Sequence, residues 1–555
     1  MKLLFLYSGT IILILMGYIP INPSNTSRID KEAYVVAKQK INMTSLRCSP
    51  DWSAYTVSPE EVQAMTPLPG TGSHAWKINT TSDSAQFYFN QGINLYYGFH
   101  IIEALPSFKK ALTFDSTSAM LYWAVALAYG PNINDYGYAQ SPDALLAVSK
   151  AKELMNNSSP EVMDLINAMD SHYSADSTRS RATLNQDYAD KMKIVFSKYP
   201  SNPEIAALYA DALMNLHPWD LWQHDGKPKA WTPELISVLE KTLQIDPEHP
   251  GVNHYYIHTM EASPFASKAN ASADRLGSLT PGLSHMVHMP SHIYIRTGEY
   301  AKGIKVNEAA VNNYDDYKKL FPLVVNSVFL YDYHNRHMQA ACSMNTNDYK
   351  KAIKDAMECR DAMDTSNLSV DAPVGDYMQY IYMTPAFTRI TFQKWDEILS
   401  EQAIPVRYHY GNLIQEFARG MAWANKGNLT KAKYSLSIMD SILKLDGMSV
   451  VLTPFNAAST GGSVAKYILM GTIAEKQGKM KDAIQYYTKG VITEDSLVYQ
   501  EPRDWLVPAR HYLGNAMLKE KKYKEAEKVF LNDLTYGPKN YISVTGLKKA
   551  KQAGK

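Results

Sequence analysis

The last ninety residues carry the pattern that most limits what this chain can fold into. The segment YILMGTIAEKQGKMKDAIQYYTKG places Gly471, Gly478, Ala483 and Tyr487 at fixed offsets. The segment RHYLGNAMLKEKKYKEAEKVFLNDLTYGPKN repeats the arrangement with Leu513, Gly514, Tyr523, Ala526, Phe530 and Pro538. Each reads as two amphipathic helices joined by a tight turn. Small residues on both helices let the backbones approach, and an aromatic ring fills the gap beside them. Such a unit cannot bury its apolar face alone, so it needs neighbours of the same kind.

These offsets resemble the tetratricopeptide repeat, a helix pair of about 34 residues. Weaker copies stand upstream, at Gly92, Ala104, Phe108 and Ala111, and in the run ending at Pro247. Others place Gly298 and Tyr300 at a turn, then Tyr349 and Ala352, then Gly420, Gly427 and Ala432. The resemblance covers most of residues 85–545. It implies an all-α, tetratricopeptide-like helix-pair solenoid, wound as a right-handed superhelix with an extended concave face. The architecture by itself says almost nothing about activity. Residues 81–449 read as the N-terminal and central array. The Gly/Ser/Thr-rich stretch 450–463 sets off a C-terminal subarray, 450–545. A shorter break at 263–272 reads as an interhelical turn.

Met1–Asn22 has one positive charge, Lys2, and then an apolar run from Leu3 to Ile21. It reads as a signal peptide or N-terminal anchor, and predicts an exported protein, periplasmic or associated with the cell envelope. Any membrane contact comes only through an uncleaved N-terminus. Residues 23–80 are rich in Ser, Thr, Asn and Pro and read as a poorly ordered arm. Charge is balanced, with formal net charge +1, so nothing marks a nucleic-acid-binding face. The cysteines are Cys48, Cys342 and Cys359. An odd, small number argues against a disulfide framework, and Cys342 and Cys359 either pair or stay as buried thiols.

The chemistry concentrates between His249 and His337, where eight of the fifteen histidines fall. His254 and His258 are four apart, with Glu261 three further on. His285, His288 and His292 follow at spacings of three and four, then His334 and His337 at three. Residues three and four apart share a helix face. Each set precedes a repeat turn, so all three lie on first helices of consecutive pairs, the helices that line the concave face. Neighbouring helices pack about 10 Å apart, so imidazoles reaching inward from them can share an ion. Imidazole nitrogens suit zinc, iron or copper rather than calcium or magnesium. The expected ligands are His254, His258, His285, His288, His292, His334, His337 and Glu261, too many for one ion. If Pro290 opens a new helix, His285 and His288 leave the stripe. Two other readings stand beside the metal site: a polar groove for an anionic or peptide ligand, and plain structural hydrogen bonding.

Other polar and aromatic residues complete the expected pocket. His100, with Glu103, and the loop with Asn132, Asn134 and Asp135 line its far end. The insertion carrying Trp219, Asp220 and Trp222 folds over it as a lid, and Tyr255, Tyr294 and Tyr333 supply its walls. No HExxH, GxSxG or phosphate-loop pattern occurs. The ordered motifs YGFHxxEA, LHPWDLW, HYYIH, HMPSHIYIRTGEY and HNRH resemble an uncharacterised family of bacterial exported tetratricopeptide-repeat proteins, which implies fold and export but no activity. The reading is a repeat protein with a histidine-lined, metal-binding concave pocket; as an enzyme, its metal would activate water or dioxygen on a small or peptide substrate. Its competitor is a non-catalytic scaffold without a cofactor, gripping a peptide or an envelope protein.

Overall fold

A glycine pressed against an aromatic ring locks the helix pairs together. In the computed structural model, a Cβ placed on Gly92 would lie 2.4 Å from the Phe108 ring. The same construction puts Gly471 at 2.5 Å from Tyr487 and Gly514 at 2.5 Å from Phe530. The ring stands sixteen residues after the glycine each time. Any side chain there would part the two helices. The structure describes Trp52 and residues 56–554, except 136–137, 321–328 and 452–455. Among these residues helix follows helix with no strand beyond an isolated bridge between Trp222 and Pro228. The molecule is an all-α, tetratricopeptide-like solenoid.

The histidines lie on the first helices of consecutive pairs, as the spacing predicts. Pro250–Glu261 packs on Asn270–Leu279, and Pro290–Thr297 packs on Tyr300–Leu320. His334–Met344 then packs on Tyr349–Asp361. Pro290 does open a helix, after the short helix Ser284–His288. Met289 between them keeps right-handed helical angles (φ −49°, ψ −36°), so the face carries straight through and His285 and His288 stay on it. Proline at the first helical position loses only an N–H that has no helical partner. A π-helical turn, Phe329–Tyr333, leads into His334. Such turns re-aim the side chains that follow them.

The solenoid curls until its end meets its middle. Arg296 Nη1 donates to the Tyr536 carbonyl (3.0 Å) and the Tyr300 hydroxyl to the Pro538 carbonyl (2.7 Å). Gly298, left-handed at φ 72°, admits that carbonyl, which would stand 2.3 Å from a Cβ. This closure brings the loop after Met480–Asp495 over the concave face, with Glu501 and Trp505 buried.

Two expectations about the outline are corrected. Residues 56–80, read as part of the arm, carry the helix Pro59–Ala64 and pack on the first pairs. Met65, Leu68 and Ile78 are buried, and Leu68 N–H donates to Gln91 Oε1 (2.8 Å). Apolar residues scattered among the polar ones do that work. The stretch from 450 does not set off a subarray either. Ala458–Lys476 is a regular helix, and one apolar core joins Met421 and Met439 before the stretch to Ile468 and Trp505 after it. Cys342 and Cys359 are separate buried thiols. Met1–Asn22 and Cys48 lie outside the described residues. No helix among the described residues is long and apolar enough to cross a membrane.

Candidate metal centre

Every residue of Pro250–Glu261 is buried, including His254, His258 and Glu261. His254 Nδ1 lies 2.6 Å from the Tyr97 carbonyl. A carbonyl only accepts, so Nδ1 carries the proton and Nε2 keeps its lone pair. His258 Nδ1 donates in the same way to Glu261 Oε1 (2.9 Å), and His292 Nδ1 donates to Glu261 Oε2. His288 Nδ1 faces Asn307 Oδ1, and that amide is oriented by its own donation to the Gly303 carbonyl (2.8 Å). Four imidazoles are therefore pinned from behind by acceptors, and all four present bare Nε2 atoms forward. This is how proteins hold histidine ligands.

The bare nitrogens face one another. His288 Nε2 and His292 Nε2 are 2.8 Å apart, and His334 Nε2 stands 3.5 Å from the latter. His254 Nε2 and His285 Nε2 are 3.2 Å apart; His285 Nδ1 has no partner, so a proton on His285 Nε2 makes that contact a hydrogen bond. Between His288 and His292, whose Nδ1 atoms both face acceptors, two lone pairs repel unless a proton or a cation lies between them. Two ligands at 2.0–2.1 Å from a tetrahedral ion are themselves about 3.3 Å apart, which the 3.2 and 3.5 Å spacings match and the 2.8 Å spacing falls short of. Burial, and then the neighbouring rings, hold His254, His285, His288 and His334 well below the ordinary histidine range, which disfavours the proton. Ring nitrogens of His254, His258 and His285 lie within 4.8 Å of one another, as do those of His288, His292 and His334.

Glu261 lies among the histidines, and one of its oxygens stands within 4.8 Å of ligand atoms of His292 and Glu501. Both its oxygens already accept imidazole N–H groups, so it stands behind the ligands and fixes their tautomers. Burial would raise its carboxyl, but the His292 and His258 rings outweigh that and lower it to about 2. His337 joins neither trio. It is fully buried edge-on to Tyr380 (5.6 Å), and burial lowers it to about 3.

A cavity of about 140 Å³ opens in front of the histidines. His258, His285, His292 and His334 form one wall, and Tyr377, Tyr380 and Tyr410 form another. Of the expected lid only Trp219 reaches it. Its ring stands edge-on to His258 at 5.2 Å, and its Nε1 donates to the Ile133 carbonyl (3.1 Å). Trp222 instead donates to the Thr259 carbonyl (2.7 Å), and Asp220 pairs with Lys229 (2.9 Å). Asn134 lines the cavity, but His100 does not; its ring stacks on Tyr331 at 4.4 Å. The tyrosines named from sequence also lie elsewhere. Tyr294 donates to Asp274 (2.8 Å), Tyr333 accepts from the Asp364 N–H (2.9 Å), and Tyr255 packs with Tyr97 and Phe99. On a helix, the neighbour of a ligand candidate points away from it.

Sequence reasoning missed several residues. Phe99, at left-handed φ 57°, lies against His254, His258 and His285 at 4.4, 5.6 and 5.7 Å. Asp376, Glu501 and Asp504 complete the cavity wall. Burial raises Asp376 to about 6 and Asp504 to about 7. Burial and then the Glu261 charge push Glu501 well above the carboxylate range. Asp376, Glu501 and Asp504 arrive from repeats far along the chain, and only the curl of the solenoid brings them in.

No family model matches this chain, and no curated protein matches it. Among solved structures, a human IFIT1 dimer with m7Gppp-AAAA aligns with 93% of this chain and 99% of its own, at 11% identity and TM-score 0.34. Yeast Tom70 aligns with 85% of this chain and 89% of its own, at 12% identity and TM-score 0.29. The TPR domain of P58(IPK) aligns with 84% of this chain and 98% of its own, at 14% identity and TM-score 0.20.

Proposed function

We propose that this protein binds a transition metal, with zinc, iron and copper as the donor-compatible choices, and offers it to a small ligand in the cavity under Trp219. One observation carries the reading: His288 Nε2 and His292 Nε2 face each other at 2.8 Å while both Nδ1 atoms are committed to acceptors. The structural alternative would need each buried polar atom to find a partner, and here acceptor meets acceptor. A bound ion would polarise water or dioxygen beside Tyr380, Tyr410 and the buried carboxyls, which is the basis for an enzymatic role. The Met1–Asn22 segment supports an exported setting.

The test is metal content. Protein dialysed against micromolar Zn(II), then against buffer, retains stoichiometric metal. His288→Ala/His292→Ala loses it, and His337→Ala keeps it. Wild-type protein that retains nothing sinks the reading and returns the cavity to the peptide- or protein-binding scaffold.

A further inference from the structure

The histidine wall is one three-nitrogen site built twice. Resting on the metal-binding reading above, we propose that the protein holds two ions side by side. The sequence supplies the first argument. His254 and His288 are 34 residues apart, and so are His258 and His292, one repeat length in each case. Each His-x3-His pair is joined by a histidine from the next first helix. His285 stands three before His288, and His334 stands three before His337, at equivalent places in their repeats. Stacking identical units therefore puts the same trio together twice. The third unit has His337 but Ala341 where its second histidine would stand. That leaves His337 as the first member of a trio that is never completed, which accounts for its isolation.

The geometry follows the same division. Ring centroids within the wall come to 5.0 Å or less only inside a trio: His254 to His258 (4.8 Å) and His285 (5.0 Å), and His288 to His292 (4.8 Å) and His334 (4.7 Å). In both, the ring behind, His254 or His288, touches two that line the cavity. Glu261 spans the pair, one oxygen on His258 and the other on His292, equivalent residues of the two units. Three nitrogens leave a tetrahedral ion one open position, and both face the same cavity. The ligand class this suits is a small oxygen donor shared by two ions, as in other two-metal centres.

Wild-type protein dialysed against excess Co(II) should bind two ions per chain, counted by elemental analysis and by the visible spectrum of tetrahedral cobalt. His285→Ala and His334→Ala should each keep one ion, with the second bound at least about 10-fold more weakly. His337→Ala should keep two. One ion per wild-type chain overturns the two-site proposal while leaving metal binding intact. No ion at all overturns metal binding itself. Either single variant retaining two tight ions would also dismiss the assignment of trios.

Discussion

Two buried polar clusters in this molecule solve the same problem in opposite ways. In the last repeat, Asp533 Oδ2 accepts from the Ser543 hydroxyl (2.7 Å), the Asn540 amide (3.0 Å) and His511 Nε2 (3.1 Å). Three donors meet Oδ2, while Oδ1 is buried without a partner, and the cluster ties the final helices together. In the histidine wall the Nδ1 atoms of His254, His258, His288 and His292 are satisfied just as well, yet the Nε2 atoms of His288 and His292 meet lone pair to lone pair. An unmet buried acceptor costs about 1–3 kcal/mol. A chain that needed only stability would use the first arrangement, as it does in its last repeat. The contrast separates a cluster that holds the fold from one that the proposed reading assigns to a cation.

Metal removal should give the largest break between the two. An ion held at a thousandfold excess over Kd stabilises the folded state by about 4 kcal/mol. Thermal melts of wild-type protein should therefore fall by several degrees on dialysis against a chelator. His288→Ala/His292→Ala should not respond to the chelator, while Asp533→Asn should respond as wild type does. Next in size is Glu261→Gln. The amide can accept from only one of the two Nδ1–H groups, so one ring loses its fixed tautomer. Competition with a chromophoric chelator should show metal held about 10–100-fold more weakly.

Asp533→Asn should cost about 1–3 kcal/mol in denaturant melts, with metal content unchanged. Its pH dependence sharpens the comparison. Burial alone would raise the Asp533 carboxyl, but His511 and the Ser543 hydrogen bond hold it below the carboxylate range. A folded pKa below the unfolded value of about 3.9 gives stability that is present above that pH and lost as pH falls from it down through the folded pKa. Wild-type protein should lose this contribution on acidification below about pH 4, and the Asn variant should have none to lose. If both lose stability alike in that range, the cluster is not the support described here.

Legibility in the sequence followed distance along the chain. The glycine–aromatic pairs and the His-x3-His motifs are local, and periodicity alone put them on the right helices. Pro290 looked able to break the stripe, yet a proline at a first helical position costs the helix little. Glu261 was readable as part of the histidine cluster but not as the acceptor shared by His258 and His292, because its second partner, His292, stands on the next repeat. Trp222 and Tyr294 were misplaced because aromatic character does not say which way a side chain points. Glu501, Asp504 and Tyr410 carried no signal at all. They reach the cavity only because residues 296–300 meet 536–539, and no local pattern encodes that closure.

The smallest expected effect tests whether the repeat turns and the metal wall are independent. Gly478 has φ 76° and no atom within 4 Å of where a Cβ would stand. Gly478→Ala therefore meets no clash, and its cost is the left-handed backbone alone, about 1–2 kcal/mol. Loss of glycine's freedom in the unfolded chain returns about 0.4–1 kcal/mol of that. The net destabilisation should be about 1.5 kcal/mol or less, read as a small shift in the denaturant midpoint. Metal stoichiometry and affinity should not move, because this turn shares no side chain with the histidine wall. A change in metal affinity in this variant would mean that the curl of the solenoid, which seats Glu501 over the cavity, also sets the spacing of the imidazoles.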